Sequence, residues 1–238
     1  MGQQYSTEIN SKLPMVNDGQ VLSYINNLGR QIASHGQRGL NYRFYVVNAD
    51  VVNAFAVPGG YVYINRGLIE RAGNMSEIAG VLAHEISHVE LRHSVKQMEQ
   101  AQGANIGLTL AYVLLGRQPG NLEATGVNVI GTAVFAKFSR DDENQADANA
   151  IPLLVASRIN PNGLVTMFER LLSMQRSQPN AIGQFFSTHP TSQDRVEETR
   201  ARIAQVPAAQ IRGTTTDARA FHTMQARLRS LPAAPRAQ

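Results

Sequence analysis

The sequence contains no cysteine and no tryptophan among its 238 residues. The absence of cysteine excludes disulfides, thiolate metal sites and a cysteine nucleophile, so any metal must be held by His, Asp or Glu. Lysine is scarce as well, since Lys12, Lys96 and Lys137 are the only ones. The net charge of +4 is therefore carried mostly by arginine. Because no block of consecutive basic residues occurs, the charge predicts a generally basic surface and no nucleic-acid partner.

The chain begins MGQQYSTEIN, which lacks the basic and then apolar stretches of a secretory leader. This start predicts either a cytosolic protein or a chain whose leader was removed. The longest apolar runs cover residues 107–116 and 124–138, and each is shorter than the roughly 20 residues that a spanning helix needs. The segment GRQPGN between these runs contains glycine and proline, so the chain is predicted to turn there. Residues 103–138 are therefore predicted to form a helical hairpin in the core, with peripheral membrane association as the alternative.

Hydrophobic spacing predicts a helix between Asp18 and Ile32, followed by a small sheet. Aromatic and β-branched residues broken by a Pro-Gly-Gly turn predict strands over about 42–48, 52–57 and 61–64. Asn74 and Glu77 have the spacing of a helix cap, and they begin one predicted helix over about 75–100.

The second half of the chain is predicted to be helical apart from two connections. Ser139 should cap a helix that Pro152 kinks or ends, and another helix should follow residues 161–163. Residues 178–193 are predicted to form a loop before a helix that contains Arg195. The remainder is predicted as a linker, an amphipathic helix and a disordered end, over residues 206–217, 218–231 and 232–238.

The stretch VLAHEISHVELRH, residues 81–93, places three histidines and two glutamates on one predicted helix. His84 and His88 are four residues apart, so their imidazoles face one point, as a tetrahedral zinc ion requires. Glu85 lies about 100° further round the helix, where it can act as a general base without binding the ion. A solvent-facing polar stripe is the alternative, but the surrounding apolar residues should bury the motif. His93 lies about half a turn from His84, which predicts a hydrogen-bonded structural role.

A catalytic zinc usually has three protein ligands and a water, so one ligand must come from another segment. Glu143 in ENQAD is the best candidate because it shares a helix face with Asp147, four residues on. Asp147 can then accept the spare N–H of a liganding imidazole. The alternative third ligands are two acids in the first turn of that helix, Asp141 and Asp142, which helix capping explains. Three other histidines are also alternatives: His35, His189 and His222.

Four motifs resemble those of the HtpX/BepA-like zinc metallopeptidases, which are gluzincins related to the CaaX prenyl endopeptidases. The motifs occur in the same order as in that family: NAFAVPGGYVYINRGLI, HExxH, ENQAD and STHPTSQDRV. The resemblance covers residues 16–229. The chain shows neither the spanning helices of HtpX nor the tetratricopeptide repeats of BepA. It therefore resembles the compact bacterial envelope members.

The resemblance implies that His84, His88 and Glu143 are the zinc ligands. It also implies that Glu85 is the catalytic base and that Asp147 is the outer carboxylate that orients a ligand.

The resemblance implies functions for two further segments. Asn53-Ala54-Phe55-Ala56 matches an edge strand beside the cleft, to which an extended peptide substrate can add by main-chain hydrogen bonds. His189, with Pro190 and Arg195, matches a loop whose histidine can approach the zinc. His189 is expected either to fill the open metal position or to donate, with Arg195, to the developing oxyanion; packing against the next helix is the alternative.

The sequence thus predicts an α+β, zincin-like metallopeptidase, with a small β-sheet over an HExxH helix and a mostly helical remainder. The peptidase domain is predicted over residues 1–206, with 207–231 packed on it and 232–238 as a tail. The expected reaction is hydrolysis of a polypeptide with one Zn²⁺ per chain. The resemblance implies a role in quality control of proteins of the bacterial periplasm or envelope. The alternative is a latent protease that acts mainly as a chaperone or assembly factor.

Overall fold

The computed structural model describes residues 2–101 and 137–233. The elements follow in the order α1 (Gly2–Lys12), α2 (Gly19–Ala33), β1 (Arg43–Val47), β2 (Ala54–Val57), β3 (Tyr61–Asn65), α3 (Arg66–Arg71), α4 (Met75–Glu90), α5 (His93–Ala101), α6 (Arg140–Ala156), α7 (Asn162–Ser177), α8 (Pro179–Thr188), α9 (Gln193–Ala204), α10 (Ala208–Ile211) and α11 (Arg219–Ser230). The predicted α+β class, mostly helical with a small sheet, is confirmed. Most of the predicted 103–138 hairpin and residues 234–238 of the predicted tail lie outside the described residues.

The sheet has the strand order β1-β3-β2, so β2 lies at one edge. Strand β1 runs parallel to β3, whereas β2 runs antiparallel to it and is joined to it by a tight turn. Gly59 and Gly60 in that turn have φ angles of +94° and +88°, a region that favours glycine. The three predicted strands are confirmed to within one or two residues of their predicted ends.

The two faces of the sheet pack against different helices. Its inner face contributes Val62 and Ile64 to the main core, which also includes apolar residues of α2 and α4. Its outer face carries Phe55 and Tyr63, whose stacked rings are 4.8 Å apart and pack in a separate cluster with Ile9 of α1. Helix α1 was not predicted from the sequence.

Helix α4 is the central element of the main core, and its residues from 75 to 89 are all buried. It begins at the predicted cap, because the Asn74 side chain accepts a hydrogen bond from the Glu77 N–H at 3.1 Å. Gly80 permits a close approach of α7, since a Cβ atom at this position would lie 2.9 Å from the backbone of Leu164. Close packing on α6 and α7 therefore fixes the helix that carries HExxH.

The prediction of one helix over 75–100 was wrong, because α4 ends at Glu90 and α5 begins at His93. Between them, Arg92 adopts a φ of +61°, a left-handed conformation that a continuous helix cannot contain. The hydrophobic spacing gave no sign of this break, since left-handed residues other than glycine or asparagine leave little trace in a sequence.

Of the two outcomes predicted at Pro152, the helix end does not occur, because α6 continues through Pro152 to Ala156. The kink stays a prediction. Proline removes one backbone hydrogen bond, but Leu153 and Leu154 beyond it are buried in the main core. Their burial offsets that cost. The predicted cap at the other end is confirmed, since Ser139 and Asp142 form a reciprocal capping box.

Two connections that were predicted as irregular contain helices. Most of the predicted loop over 178–193 is helix α8, which has Pro179 in its first turn and buries Ile182 and Phe185 on one side. The predicted linker over 206–217 contains the short helix α10. The last predicted helix is confirmed as α11, whose Phe221 and Leu228 join the main core. None of the helices within the described ranges combines the length and the apolar content that crossing a bilayer requires.

Candidate active site

Three parts of the fold bring four potential metal ligands together. Helix α4 supplies His84 and His88, α6 supplies Glu143, and His189 follows directly after α8. One ligand atom from each of these residues lies within 4.8 Å of all the others, and all four residues are buried. The structure therefore places the three predicted ligands and the predicted loop histidine in one cluster.

The ligand atoms of this cluster face a common point. The Nε2 atoms of His84 and His88 are 2.9 Å apart, as their spacing on one helix face predicts. A carboxylate oxygen of Glu143 lies 3.3 Å from Nε2 of His88, and the other lies 3.6 Å from Nε2 of His84. Nδ1 of His189 is 2.9 Å from the Glu143 carboxylate and 3.3 Å from Nε2 of His84.

The donor set fits a divalent transition metal. Nδ1 of His84 lies 2.8 Å from a carboxylate oxygen of Asp147, which can only accept, so this nitrogen carries the proton. In the neutral ring, Nε2 of His84 then presents a lone pair to the cluster. Burial lowers the pKa of His88 well below its usual range, which keeps that imidazole neutral. Neutral imidazoles with a carboxylate, and no thiolate, form a typical set of zinc ligands.

Glu85 lies beside the cluster with an unused carboxylate. Both of its oxygens are buried and have no hydrogen-bond partner among the described residues. The nearest ion-pair contact is with Nε2 of His189, at 3.5 Å. Burial raises the pKa of Glu85, and the nearby His189 opposes that rise. A buried carboxylate with free lone pairs and a raised pKa is suited to taking a proton from a water molecule.

Arg195 of α9 joins two carboxylates of α6. Its Nε and Nη2 atoms donate to the two oxygens of Asp147 at 2.5 and 2.8 Å, and its Nη1 atom forms an ion pair with Glu143. Burial disfavours ionisation of Asp147, but Arg195 outweighs it and lowers the pKa of Asp147 to about 2. Arg195 also stacks over the ring of Phe168. Asp147 is thus held as a charged acceptor for His84.

The charges of Glu143 and His189 depend on each other. Burial alone would raise the pKa of Glu143, yet His189 and Arg195 hold it well below its usual range. Burial alone would lower the pKa of His189, but Glu143 and Glu85 raise it. Ionisation of the Glu143 carboxylate is therefore favoured by Arg195 and coupled to that of His189.

Two residues around His88 were not assigned to the site from the sequence. Phe138 stacks on the His88 ring, with centroids 3.9 Å apart and an interplanar angle of 24°. Nδ1 of His93 lies 2.9 Å from Nδ1 of His88. The predicted hydrogen bonding of His93 is confirmed. Its separation of half a turn from His84 did not predict His88 as the partner, because the left-handed turn at Arg92 changes the direction of the chain.

The predicted substrate strand lies at the edge of the sheet. The Asn65 N–H donates to the Asn53 carbonyl at 2.9 Å, so the backbone groups of Ala54 and Ala56 point away from β3. The Ser94 hydroxyl donates to the Ala56 carbonyl at 3.4 Å. The Asn53 side chain is fully buried, and its amide has no hydrogen-bond partner within the described ranges.

Of the alternative ligands considered from the sequence, His189 lies in the cluster, and the other four lie elsewhere in the described structure. Asp142 belongs to the capping box of α6, where its carboxylate accepts from Ser139. His222 is exposed and pairs with Asp217 at 2.6 Å. His35 and Asp141 are exposed as well, and neither belongs to the cluster.

Comparisons with known proteins identify the family and several named metalloproteases. The family model for Peptidase family M48 matches residues 17–203. The beta-barrel assembly-enhancing protease of Escherichia coli (strain K12) is 33% identical over 217 residues, which are 87% of this chain and 44% of that protein. Metalloprotease LoiP of the same strain is 33% identical over 180 residues, which are 75% of this chain and 68% of LoiP. Mitochondrial metalloendopeptidase OMA1 of Schizosaccharomyces pombe is 30% identical over 190 residues, which are 80% of this chain and 54% of OMA1.

The chain thus spans about half the length of the beta-barrel assembly-enhancing proteases that it matches.

Proposed function

The chain belongs to peptidase family M48, a family of metalloendopeptidases, and from this premise we propose that it hydrolyses peptide bonds with one zinc ion. His84, His88 and Glu143 are the proposed ligands. The observation that carries the proposal is the convergence of their ligand atoms beside the unpartnered, buried carboxylate of Glu85.

Glu85 is the proposed general base and acid. When bound, zinc polarises a carbonyl group and lowers the pKa of a water molecule. Glu85 accepts a proton from the attacking water as the new C–O bond forms at the scissile carbonyl. It then passes that proton to the amine nitrogen as the C–N bond breaks. Its lack of a hydrogen-bond partner in the described structure leaves both oxygens available for these transfers.

Asp147 and Arg195 are proposed to hold the ligands in place. Asp147 fixes the tautomer of His84 by accepting from its Nδ1 atom, at 2.8 Å. Arg195 fixes Asp147 through two hydrogen bonds. Donation from Arg195 to an oxyanion stays a prediction, and it would require Nη1 to leave Glu143 and the Pro190 carbonyl, which it contacts at 3.2 Å.

His189 is proposed to control access to the metal. Its side chain is 1% exposed, and Nδ1 lies among the ligand atoms, where a fourth ligand would bind. In this position His189 excludes substrate and makes the enzyme latent. If it acts as a plug, His189→Ala should raise proteolysis or self-cleavage. If it is chiefly an oxyanion donor, activity should fall while zinc content stays constant, and no change in either would remove it from the site.

The edge of β2 is proposed to bind the substrate backbone. The backbone groups of Ala54 and Ala56 point away from β3 and could pair with an extended peptide once the Ser94 hydroxyl leaves the Ala56 carbonyl. The buried amide of Asn53 offers a further donor and acceptor. Phe55 instead packs under α1, so its contribution is to hold the strand.

The biological setting is proposed from the relatives. Relatives named beta-barrel assembly-enhancing proteases favour a polypeptide substrate among envelope proteins and a location in the bacterial envelope. We propose one peptidase domain over residues 1–206, against which residues 207–231 pack through α11. Membrane association through residues 103–138 stays a prediction. A latent protease that mainly assists assembly is the second candidate, and the buried position of His189 favours it.

Metal analysis and casein cleavage of wild type and Glu85→Gln test the proposal together. Wild type should contain one zinc per chain and lose cleavage when a chelator removes it. Glu85→Gln should keep zinc and lose cleavage, because Glu85 is the base and not a ligand. Cleavage by Glu85→Gln at the wild-type rate would contradict the mechanism. If wild type binds zinc but does not cleave, His189→Ala decides between a latent protease and a binding protein.

A further inference from the structure

His88 has an unusual partner for a proposed metal ligand. Its Nδ1 atom lies 2.9 Å from Nδ1 of His93, a side chain that is only 3% exposed. The turn at Arg92 produces this contact, because α5 begins at His93 immediately after the left-handed residue. His84, four residues earlier, has the carboxylate of Asp147 in the corresponding place.

Metal binding would fix the protons of this pair. Nε2 of His88 faces Nε2 of His84 and the Glu143 carboxylate, so a metal at this point requires Nε2 without a hydrogen. The proton of the neutral ring must then be on Nδ1, which donates. Nδ1 of His93 is therefore the acceptor.

The surroundings of His93 favour the same arrangement. If Nδ1 accepts, the proton of the neutral His93 ring is on Nε2, on the opposite side. Two oxygen acceptors lie there: Oε1 of Gln145 at 3.4 Å and Oδ1 of Asp142 at 3.8 Å. A chain of hydrogen bonds thus runs from α6 through His93 to His88.

We propose that His93 is a positioning residue that fixes the tautomer and ring orientation of His88 for zinc binding. This inference rests on the metal site proposed above. It predicts that His93 contributes to zinc affinity in the way that outer hydrogen-bond partners of liganding histidines do, by roughly 10–100-fold. A residue that merely fills space would not show this dependence on an acceptor at Nδ1.

The test compares two substitutions of His93 by their zinc dissociation constants, measured in competition with a chelator. His93→Phe keeps an aromatic ring but removes the acceptor, and it should weaken zinc binding by roughly 10–100-fold. His93→Asn places an amide oxygen close to the position of Nδ1 and should recover most of that loss. His35→Phe, at an exposed histidine outside the site, is the matched control and should bind zinc like wild type.

The failures of the two proposals are distinguishable. If wild type and His35→Phe bind no zinc, the metal site is wrong, and the role of His93 is wrong with it. If both bind zinc and His93→Phe binds it equally well, only the role of His93 is wrong. Equal losses in the Phe and Asn variants would also contradict it, because packing alone would then explain the effect.

A direct measurement of the proton positions does not require the His93 variants to fold. Nitrogen-15 NMR of the zinc-loaded Glu85→Gln protein, which should not degrade itself, reports the tautomer of each histidine. The expected result is a proton on Nδ1 of His88 and on Nε2 of His93, with coupling between the two Nδ1 atoms. A proton on Nδ1 of His93 would overturn the proposal.

Discussion

The two histidines of HExxH occupy similar positions on α4 but have different outer partners. His84 is held by Asp147, an ionised carboxylate that Arg195 clamps through two hydrogen bonds. His88 is held by His93, an imidazole whose own acceptors lie at 3.4 and 3.8 Å. The His84 side therefore depends on buried charge, whereas the His88 side depends on the direction of one hydrogen bond. The loss of folding stability should therefore be largest when the buried charge on the His84 side is left unpaired.

The largest effect is expected for Arg195→Met, which leaves the carboxylate of Asp147 buried without its cation. Breaking a buried ion pair in this way costs about 3–5 kcal/mol. Urea unfolding of the metal-free protein should show a loss of this size. Arg200→Met on the same helix removes a half-exposed pair with Glu169 and should cost less than about 1 kcal/mol. Equal losses in the two variants would contradict the difference between the buried and the exposed pair.

A smaller effect is expected for Asp147→Asn, which keeps an acceptor for His84 but removes the charge. Zinc affinity should fall by roughly 10–100-fold, the usual cost of changing an outer partner of a liganding histidine. Asp141→Asn, at an exposed position in the first turn of the same helix, is the control. Unchanged zinc affinity in Asp147→Asn would mean that a neutral hydrogen-bond acceptor is enough to orient His84, as it is proposed to be for His88.

The smallest effects are expected at Arg92, whose left-handed backbone places His93. Arg92→Gly should leave the unfolding free energy within about 1 kcal/mol of wild type, since glycine adopts this conformation without strain. Arg92→Val should lower it by about 1–3 kcal/mol, because a β-branched residue is strained there. Zinc titration should show weaker binding in the valine variant only. Equal zinc binding in both variants would show that the left-handed turn at Arg92 does not affect the metal site.

The His84 side could largely be predicted from the sequence, because helical spacing is local. His84 and His88 are four residues apart on α4, and so are Glu143 and Asp147 on α6, so regular helices suffice to place them. Arg195 joined the prediction only through the family resemblance, and His189 was before it only one of several alternative ligands. Their approach depends on how α8 and α9 pack, which no spacing within one segment specifies.

The His88 side could not be predicted in the same way. On one continuous helix, the spacing of His93 from His84 would place the two side chains on different faces. The helix is interrupted at Arg92, however, so this argument does not apply. Phe138 lies just before α6, and its stacking on His88 of α4 is a tertiary contact between segments. Left-handed turns and contacts between segments carry weak sequence signals, whereas capping residues such as Ser139 carry strong ones.

The central claim is that Glu143 completes a zinc site with His84 and His88. His189 lies close enough to replace a missing ligand, so the measurement belongs in a His189→Ala background. Zinc content after dialysis should be one ion per chain in His189→Ala, and also when Asp141→Ala is added as the control. Adding Glu143→Ala instead should cause zinc content to fall sharply, because only two protein ligands remain. Full zinc occupancy in the Glu143→Ala/His189→Ala protein would contradict the account.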